Sequence, residues 1–90
     1  MQCASRTVLR RGEQVPLTPK EYELLLALIH RRGKVAGRAE LLAEVWGYDV
    51  SVQSRTVDTH VAELRRKLED RLHSPRHILR VRKAGYRIRT

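Results

Sequence analysis

The segment SRTVDTHVAELRRKLED, residues 54–70, has the pattern of one helix with two different faces. Its larger aliphatic residues recur at steps of four, three and four positions, which is the spacing of one buried stripe along an α-helix. The stripe consists of Val57, Val61, Leu64 and Leu68. Serine is a favoured N-cap residue, so we predict one amphipathic helix over residues 54–70 that Ser54 caps.

The opposite face of this helix carries polar groups and one small residue. At roughly 100° per residue, it comprises Arg55, Thr59, Ala62 and Arg66, with Thr56, His60 and Glu63 at its flanks. Arg55 places a cation in the first helical turn, where the helix dipole disfavours positive charge and where a bound anion would reverse the penalty. Taken alone, this face is compatible either with a surface that binds a polyanion or with plain exposure to solvent.

Length and composition constrain the rest of the chain. Ninety residues, 41% of them hydrophobic, suffice for one compact domain over residues 1–90. Basic residues outnumber acidic residues by 19 to 10, and the resulting net charge of +9 indicates nucleic acid or another anionic surface as the partner. Residues 54–90 hold 11 Lys and Arg against 4 Asp and Glu, whereas residues 1–53 hold 8 against 6. The excess charge therefore lies in the predicted helix and the segment that follows it.

Cysteine content and hydropathy indicate where the protein works. Cys3 is the only cysteine, so no disulfide can form within the chain. No apolar run reaches the roughly 18 residues of a membrane span, and no signal-peptide core is present. We therefore expect a cytoplasmic protein that has no membrane partner.

The sequence contains no motif for catalysis or metal binding. Its four histidines do not have the spacing with cysteine that zinc sites use, and it has no glycine-rich phosphate loop. No side chain stands in a recognisable nucleophile motif. We predict that the protein is not an enzyme and that it uses no metal and no cofactor.

The N-terminal residues 1–17 predict a β-hairpin. Two β-prone segments flank a turn that contains Gly12. Residues 1–5 are either part of a strand or a foreign tail, and the sequence leaves both open. Residues 34–36 predict a short extended connector that adds one small strand.

Two scaffold helices are predicted between the hairpin and residue 54. Thr18-Pro19-Lys20-Glu21 combines an N-cap, a proline at the first helical position and a capping-box glutamate, which predicts a helix over residues 18–32. A second helix is predicted over residues 37–46, with Gly47 as its stop. Trp46 lies on the inner face of that helix and is interpreted first as a core residue.

The segment YDVSVQ, residues 48–53, has no helical period and is longer than a tight helix-turn-helix connection. We predict a loop with a surface of its own. Its Tyr48 and its valines either cover the core or face a partner.

The C-terminal residues 77–90 predict a second β-hairpin. Apolar residues alternate with arginines on both sides of a turn near Lys83-Ala84-Gly85, so we expect one apolar and one basic side. Five of the ten residues from Arg80 to Arg89 are cations. This density favours contact with phosphates or with a minor groove.

The order of these elements is typical of an α+β winged helix-turn-helix, in which one helix enters the major groove and a hairpin wing touches the adjacent DNA. The segments LTPKEYELLLALIHRRGKV, LLAEVWGYD, SRTVDTHVAELRRKLE and VRKAGYRIR closely resemble the OmpR/PhoB-type effector domain of bacterial two-component response regulators. The similarity runs from about Leu17 to Arg89. It implies sequence-specific binding of double-stranded DNA, with residues 54–70 as the recognition helix.

The resemblance also implies roles for individual residues. The recognition-helix positions that contact phosphates or face bases are Arg55, Thr56, Thr59 and His60, and a basic patch near the DNA backbone matches Arg65 and Arg66. The wing positions are Arg80, Arg82 and Lys83. Trp46 matches a tryptophan that lies near the phosphate backbone, and the loop assigned to RNA polymerase contact matches Tyr48, Asp49 and Val50.

The sequence departs from the family pattern at three positions. Ala62 and Glu63 stand where some relatives have arginine, so a base preference cannot be carried over. Lys83 stands where glycine is common in the wing turn, which affects the tip of the wing. Asp58, which lies beside Arg55 on the helix, is expected to orient a basic side chain locally.

The fuller form of this family has a phospho-accepting receiver domain, so we expect an effector fragment of a longer parent. By resemblance, two copies bind direct-repeat half-sites. The alternative is a basic RNA-binding or protein-interaction module. An RNA-binding module usually shows aromatic stacking positions, and aromatic residues make up only 4% of this chain.

Overall fold

A computed structural model of the chain describes residues 2–4, 7–47, 53–69 and 76–89. The strands in chain order are β1 (Gln2–Ala4), β2 (Thr7–Arg10), β3 (Glu13–Pro16), β4 (Ile78–Val81) and β5 (Gly85–Ile88). The helices are α1 (Pro19–His30), α2 (Arg38–Leu41), which continues into a π-helical turn (Leu42–Trp46), and α3 (Arg55–Leu68). This architecture confirms the predicted α+β winged helix-turn-helix with a hairpin at each end.

The N-terminal strands form an antiparallel sheet in the order β1-β2-β3. The sequence predicts only the β2–β3 hairpin and leaves residues 1–5 open, whereas the structure pairs Cys3 with Val8 on β2. Val8 is fully buried, so the sheet covers part of the helical core.

The start of α1 has the predicted capping box. The Thr18 hydroxyl accepts a hydrogen bond from the Glu21 N–H at 3.2 Å, and the Glu21 carboxylate accepts one from the Thr18 N–H at 3.0 Å. The helix buries Leu24, Leu25 and Leu28 and ends at His30, where the prediction extended to residue 32.

The predicted apolar stripe of α3 lies in the core. Val57 and Leu64 are fully buried, and Val61 and Leu68 nearly so. The predicted N-cap is wrong, because Ser54 already has helical backbone angles (φ −59°, ψ −24°) and its side chain caps no backbone N–H within the described residues. The first turn is instead closed by backbone hydrogen bonds from Thr56 to Gln53 and from Val57 to Ser54, at 2.9 and 3.0 Å. Tight i to i+3 bonds of this kind satisfy donors that a cap would otherwise take.

The C-terminal strands form an antiparallel hairpin, the wing, which is joined to the predicted connector near residue 36. Ala36 and Tyr86 exchange two backbone hydrogen bonds, of 2.8 and 2.9 Å. Gly85 has φ +142°, and a Cβ at this position would overlap the carbonyl group of Ala36. Glycine is therefore required at the point where the wing meets the connector.

The prediction that the wing has one apolar and one basic side is wrong. Ile78 pairs with Ile88 and Arg80 pairs with Tyr86. Because directly paired residues share a face of an antiparallel sheet, this register places Arg80 on the same face as three buried apolar side chains. Arg87 lies on the other face and donates from Nε to the carbonyl of Gly33 at 3.0 Å.

Glu69 ties the end of α3 to the start of the wing. Its buried carboxylate accepts hydrogen bonds from the backbone N–H groups of Arg76, His77 and Ile78, at 3.1, 2.9 and 2.9 Å. Burial alone would raise the pKa of the Glu69 carboxyl, but these three donors outweigh it and hold the pKa below its ordinary value. The ionised carboxylate therefore fixes where the wing begins relative to α3.

Candidate nucleic-acid interface

The polar face of α3 is open to solvent. Arg55, Thr59, Ala62 and Arg66 are exposed, and Thr56, His60 and Glu63 are half-buried at its flanks. A shallow depression at the start of this face is lined by Gln53, Arg55, Thr56, Thr59 and His60. The surface thus offers hydroxyl, imidazole and guanidinium groups along one side of a helix of 14 residues.

The hydroxyl and imidazole groups of this face are held by the helix backbone. Thr59 donates from its hydroxyl to the carbonyl of Arg55 at 3.1 Å. His60 Nδ1 lies 2.8 Å from the carbonyl oxygen of Thr56. A carbonyl oxygen only accepts, so Nδ1 carries a proton and Nε2 is the ring nitrogen left for a ligand.

Trp46 reaches the edge of this face from the π-helical turn. Its ring centroid lies 4.8 Å from that of His60, with the two planes at 73° in an edge-to-face contact. Trp46 is half-buried and also packs against the core. Both interpretations of Trp46 therefore fit its position, because it fills space beside the core and borders the polar face.

The two arginines of the expected basic patch differ in their surroundings. Arg66 is exposed and donates from Nε and Nη2 to one carboxylate oxygen of Glu63, at 3.1 and 2.9 Å. Arg65 is half-buried, donates from Nε to the carbonyl of Ile78 at 3.1 Å, and lies 5.9 Å from the ring centroid of Tyr86. Only Arg66 belongs to the exposed face, whereas Arg65 braces the base of the wing.

The wing presents its cations next to α2. Arg80, Arg82 and Lys83 are exposed, and Lys83 has φ +63°. A cavity of about 570 Å³ between the wing and the start of α2 is lined by these three residues and by Arg38 and Ser54, among others. The structure therefore adds Arg38 to the basic surface. The sequence gives no sign of this, because the neighbours of Arg38 in space come from a distant part of the chain.

Asp58 does hold a basic side chain, but that of Arg38 on α2 and not a local one on its own helix, and it also binds Tyr86 on the wing. Its Oδ2 accepts a hydrogen bond from Arg38 Nη1 at 2.8 Å, and its Oδ1 accepts one from the Tyr86 hydroxyl at 2.6 Å. Burial raises the pKa of the Asp58 carboxyl, but the hydrogen bonds from Tyr86 and Arg38 outweigh this and hold the pKa below its ordinary value. Burial, followed by the hydrogen bond to Asp58, raises the pKa of Tyr86 to about 12.

The predicted polymerase-contact residues Tyr48, Asp49 and Val50 lie outside the described residues. Within the described part of the chain, no three His, Cys, Asp or Glu side chains come together as metal ligands. No helix formed by those residues is both long and apolar enough to cross a membrane.

Three helices, a cationic wing and an exposed polar helix face define a DNA-binding domain of the winged helix-turn-helix class. Residues 12–88 match the family model described as "Transcriptional regulatory protein, C terminal". The chain belongs to this family, in its OmpR/PhoB-type branch of response regulators, as the resemblance predicted. The family is a class of transcription regulators and not a class of enzymes.

Individual relatives agree with this assignment. The transcriptional regulatory protein KdpE of Mycobacterium tuberculosis is 43% identical over 87 residues, which cover 97% of this chain and 38% of the relative. The response regulator DrrB, an OmpR/PhoB homologue of Thermotoga maritima, matches 93% of this chain and 38% of its own with a TM-score of 0.86 and 37% identity. The RstA DNA-binding domain of Klebsiella pneumoniae, solved in complex with the RstA box, matches 92% of this chain and 82% of its own with a TM-score of 0.81 and 32% identity. The chain thus spans little more than a third of the length of KdpE.

Proposed function

We propose that this domain binds double-stranded DNA sequence-specifically as the effector domain of a response-regulator transcription factor. The observation that carries the proposal is the juxtaposition of the exposed polar face of α3 with the cationic turn of the wing. An α-helix fits the major groove of B-DNA, and a hairpin beside it reaches the adjacent backbone or minor groove. The RstA domain, which is similar over most of this chain, was solved with its DNA, and this supports the same mode of binding.

The site residues divide by what their side chains offer. On α3, Arg55, Thr56, Thr59 and His60 contact base edges or the phosphates that flank them, and Arg66 binds the backbone. Arg65 supports the interface from behind, through the base of the wing. Arg80, Arg82 and Lys83 contact the adjacent minor groove or phosphates, with Arg38 beside them, and Trp46 packs against a backbone sugar or phosphate.

Charge supplies most of the affinity that is independent of sequence. Each Lys or Arg that neutralises a phosphate releases counterions, so the logarithm of the binding constant falls with the logarithm of salt concentration by about 0.9 per contact. The salt slope therefore counts the phosphate contacts of this surface. Base-edge contacts instead appear as a difference between cognate and mixed-sequence DNA.

The proposal extends to the parent protein. A receiver domain in the parent controls the domain, two copies occupy direct-repeat half-sites, and Tyr48, Asp49 and Val50 contact RNA polymerase. The parent acts in the cytoplasm, and this domain carries no catalytic activity. The similarity to KdpE and DrrB, each of which is more than twice as long as this chain, supports a multidomain parent.

The direct test is selection from random duplex DNA, followed by footprinting of the selected site. We expect an enriched motif, protection of the major groove across the motif and protection of the minor groove beside it. Titration of the selected duplex, a mixed-sequence duplex and single-stranded RNA at several salt concentrations measures preference and salt slope. Equal affinity for all three nucleic acids would refute sequence-specific DNA binding and favour a general basic module.

A matched control separates the interface from net charge. Arg11→Ala removes one exposed cation from the β2–β3 turn, which borders a groove shared with Leu68 at the far end of α3. We expect Arg11→Ala to leave the preference for the selected duplex over the mixed-sequence duplex unchanged, whereas Arg55→Ala lowers the affinity for the selected duplex. If the two substitutions lowered that affinity equally, overall charge, and not this surface, would drive binding.

A further inference from the structure

A carboxylate on the recognition helix needs an explanation, because an unpaired negative charge near DNA phosphates repels them. Asp58 lies on α3 between Arg55 and His60, and its side chain is 34% exposed. Each of its two oxygens accepts one hydrogen bond, from Tyr86 on the wing and from Arg38 in the first turn of α2. The carboxylate is thus neutralised by Arg38 and shared among three elements of the fold.

Tyr86 is held rigidly enough to transmit this connection. The residue as a whole is only 5% exposed, its backbone is paired in both directions with Ala36, and the guanidinium of Arg65 lies over its ring. The hydroxyl group therefore has little freedom of its own. Its short bond to Asp58, 2.6 Å, fixes the wing at that strand position relative to α3.

The wing is attached to α3 at two different heights. Arg65 donates to the carbonyl of Ile78, which is the first residue of β4 and lies at the base of the hairpin. Asp58 binds Tyr86, the second residue of β5, directly after the turn that carries Arg82 and Lys83. The backbone bonds between Ala36 and Tyr86 tie this level of the hairpin to the connector, and the bond to Asp58 adds a link to α3 itself, so it sets how the turn lies relative to the recognition face.

We propose that Asp58 and Tyr86 are positioning residues for DNA binding, and that their hydrogen bond sets the distance between the recognition face of α3 and the wing cations. This inference rests on the proposed function. With the wing held in place, contacts in the major groove and on the adjacent DNA form together without a further ordering cost. The same rigidity makes the domain favour sites in which the two contact regions have one particular spacing.

The test is a double-mutant cycle between the hydrogen bond and the wing cations. Tyr86→Phe removes the hydroxyl, keeps the buried ring and leaves Asp58 paired with Arg38, so it does not change the charge at the interface. We expect about tenfold weaker binding to the selected duplex, the scale on which one hydrogen bond to a charged group acts. In the background of Arg80→Ala, Arg82→Ala and Lys83→Ala, we expect the same substitution to change affinity by less than about twofold, because none of the three proposed wing contacts remains to be positioned.

Two further measurements separate positioning from loss of stability. In hydroxyl-radical footprinting, Tyr86→Phe should weaken protection of the minor groove beside the motif, while protection across the motif persists. The circular dichroism spectrum of the variant should match that of the unchanged protein at the assay temperature. Tyr22→Phe removes the hydroxyl of a half-buried tyrosine on α1 and serves as the matched control, with unchanged protection. Asp58→Asn keeps an acceptor for the Tyr86 hydroxyl, so it should retain more minor-groove protection than Asp58→Ala.

The outcomes distinguish this inference from the proposed function. If the unchanged domain shows no preference for duplex DNA, the proposed function fails. If it binds its selected site but Tyr86→Phe costs the same affinity with and without the wing cations, the function stands and the positioning role is refuted. A cycle in which Tyr86→Phe has no effect in either background refutes it as well.

Discussion

Replacing Glu69 by glutamine tests how the wing is fastened to the recognition helix. The buried Glu69 carboxylate accepts a hydrogen bond on Oε1 from Arg76 and two on Oε2 from His77 and Ile78. A glutamine has the same shape but only one acceptor oxygen, and its NH₂ group donates. At least one backbone N–H therefore faces another donor in the variant, and the remaining hydrogen bonds lose their charged acceptor.

The size of the effect follows from these three bonds. A hydrogen bond to a charged group contributes about 1.5–3 kcal/mol and one to a neutral group about 0.5–1.5 kcal/mol, so each bond weakens by about 1 kcal/mol. The donor most easily lost belongs to the exposed Arg76, where water can replace the carboxylate. We therefore expect Glu69→Gln to lower the free energy of unfolding by about 3 kcal/mol near pH 7.

The pH dependence gives the same experiment a second readout. The pKa of Glu69 is lowered in the folded state, because its backbone donors outweigh the effect of burial. The carboxylate therefore stabilises the fold fully above its ordinary pKa of 4.5, and this contribution is lost as the pH falls through the lower folded value. The difference in stability between Glu69→Gln and the unchanged protein should accordingly be full near pH 7 and should shrink at about pH 3.

Urea unfolding followed by Trp46 fluorescence measures both effects. The matched control is Glu23→Gln, because Glu23 is 51% exposed and makes a surface ion pair with Lys20 at 3.3 Å. Such pairs contribute only about 0–1 kcal/mol, so the control should unfold close to the unchanged protein. If Glu69→Gln unfolds like the control near pH 7, or if its deficit is the same at both pH values, the proposed fastening of the wing is wrong.

Three further predictions address the core and the DNA surface. Leu64→Ala should lower the free energy of unfolding by about 2–5 kcal/mol because Leu64 is fully buried, and a near-neutral result in urea unfolding would mean that the stripe is not core. Arg55→Ala and Arg66→Ala should both weaken DNA binding. If the arginine contacts a base, its loss should cost about 1–3 kcal/mol, mainly on the selected site. If it contacts a phosphate, affinity should fall on all DNA and the salt slope should become flatter by about one unit. Unchanged affinity in both variants would remove α3 from the interface. Arg82→Ala should reduce affinity without changing the melting temperature, and a large drop in that temperature would instead assign Arg82 a structural role.

Local signals in the sequence were sufficient for the scaffold. The capping box of Thr18 and Glu21 joins residues three positions apart, so the pattern that predicts it also contains both partners. The apolar stripe of α3 was predictable for the same reason, since its members share one helix. The predicted cap of α3 failed because Ser54 had to compete with backbone carbonyls that close the first turn themselves.

Contacts between distant segments could not be predicted in this way. Asp58 binds Arg38 and Tyr86, which are 20 and 28 positions away, whereas the sequence favoured a basic partner close by in the chain. The prediction of one apolar and one basic side for the wing failed for a related reason. Alternation within each strand does not set the register between the two strands. The observed register places Arg80 opposite Tyr86.

Of the four cations on α3, the resemblance assigns Arg55, Arg65 and Arg66 to the DNA surface and Lys67 to no role, and in the structure the four differ in how they are engaged. Lys67 is ion-paired with the buried Glu21 at 2.6 Å, and Arg65 is engaged by the carbonyl of Ile78. Arg66 is bound to Glu63, but this pair is exposed and costs little to exchange for a phosphate. Arg55 has no ion pair among the described residues, and it lies in the first turn, where the helix dipole gains most from a bound anion. Affinity for DNA should therefore depend most on the two ends of the exposed face, Arg55 first and Arg66 second, while Arg65 and Lys67 hold the helix in place.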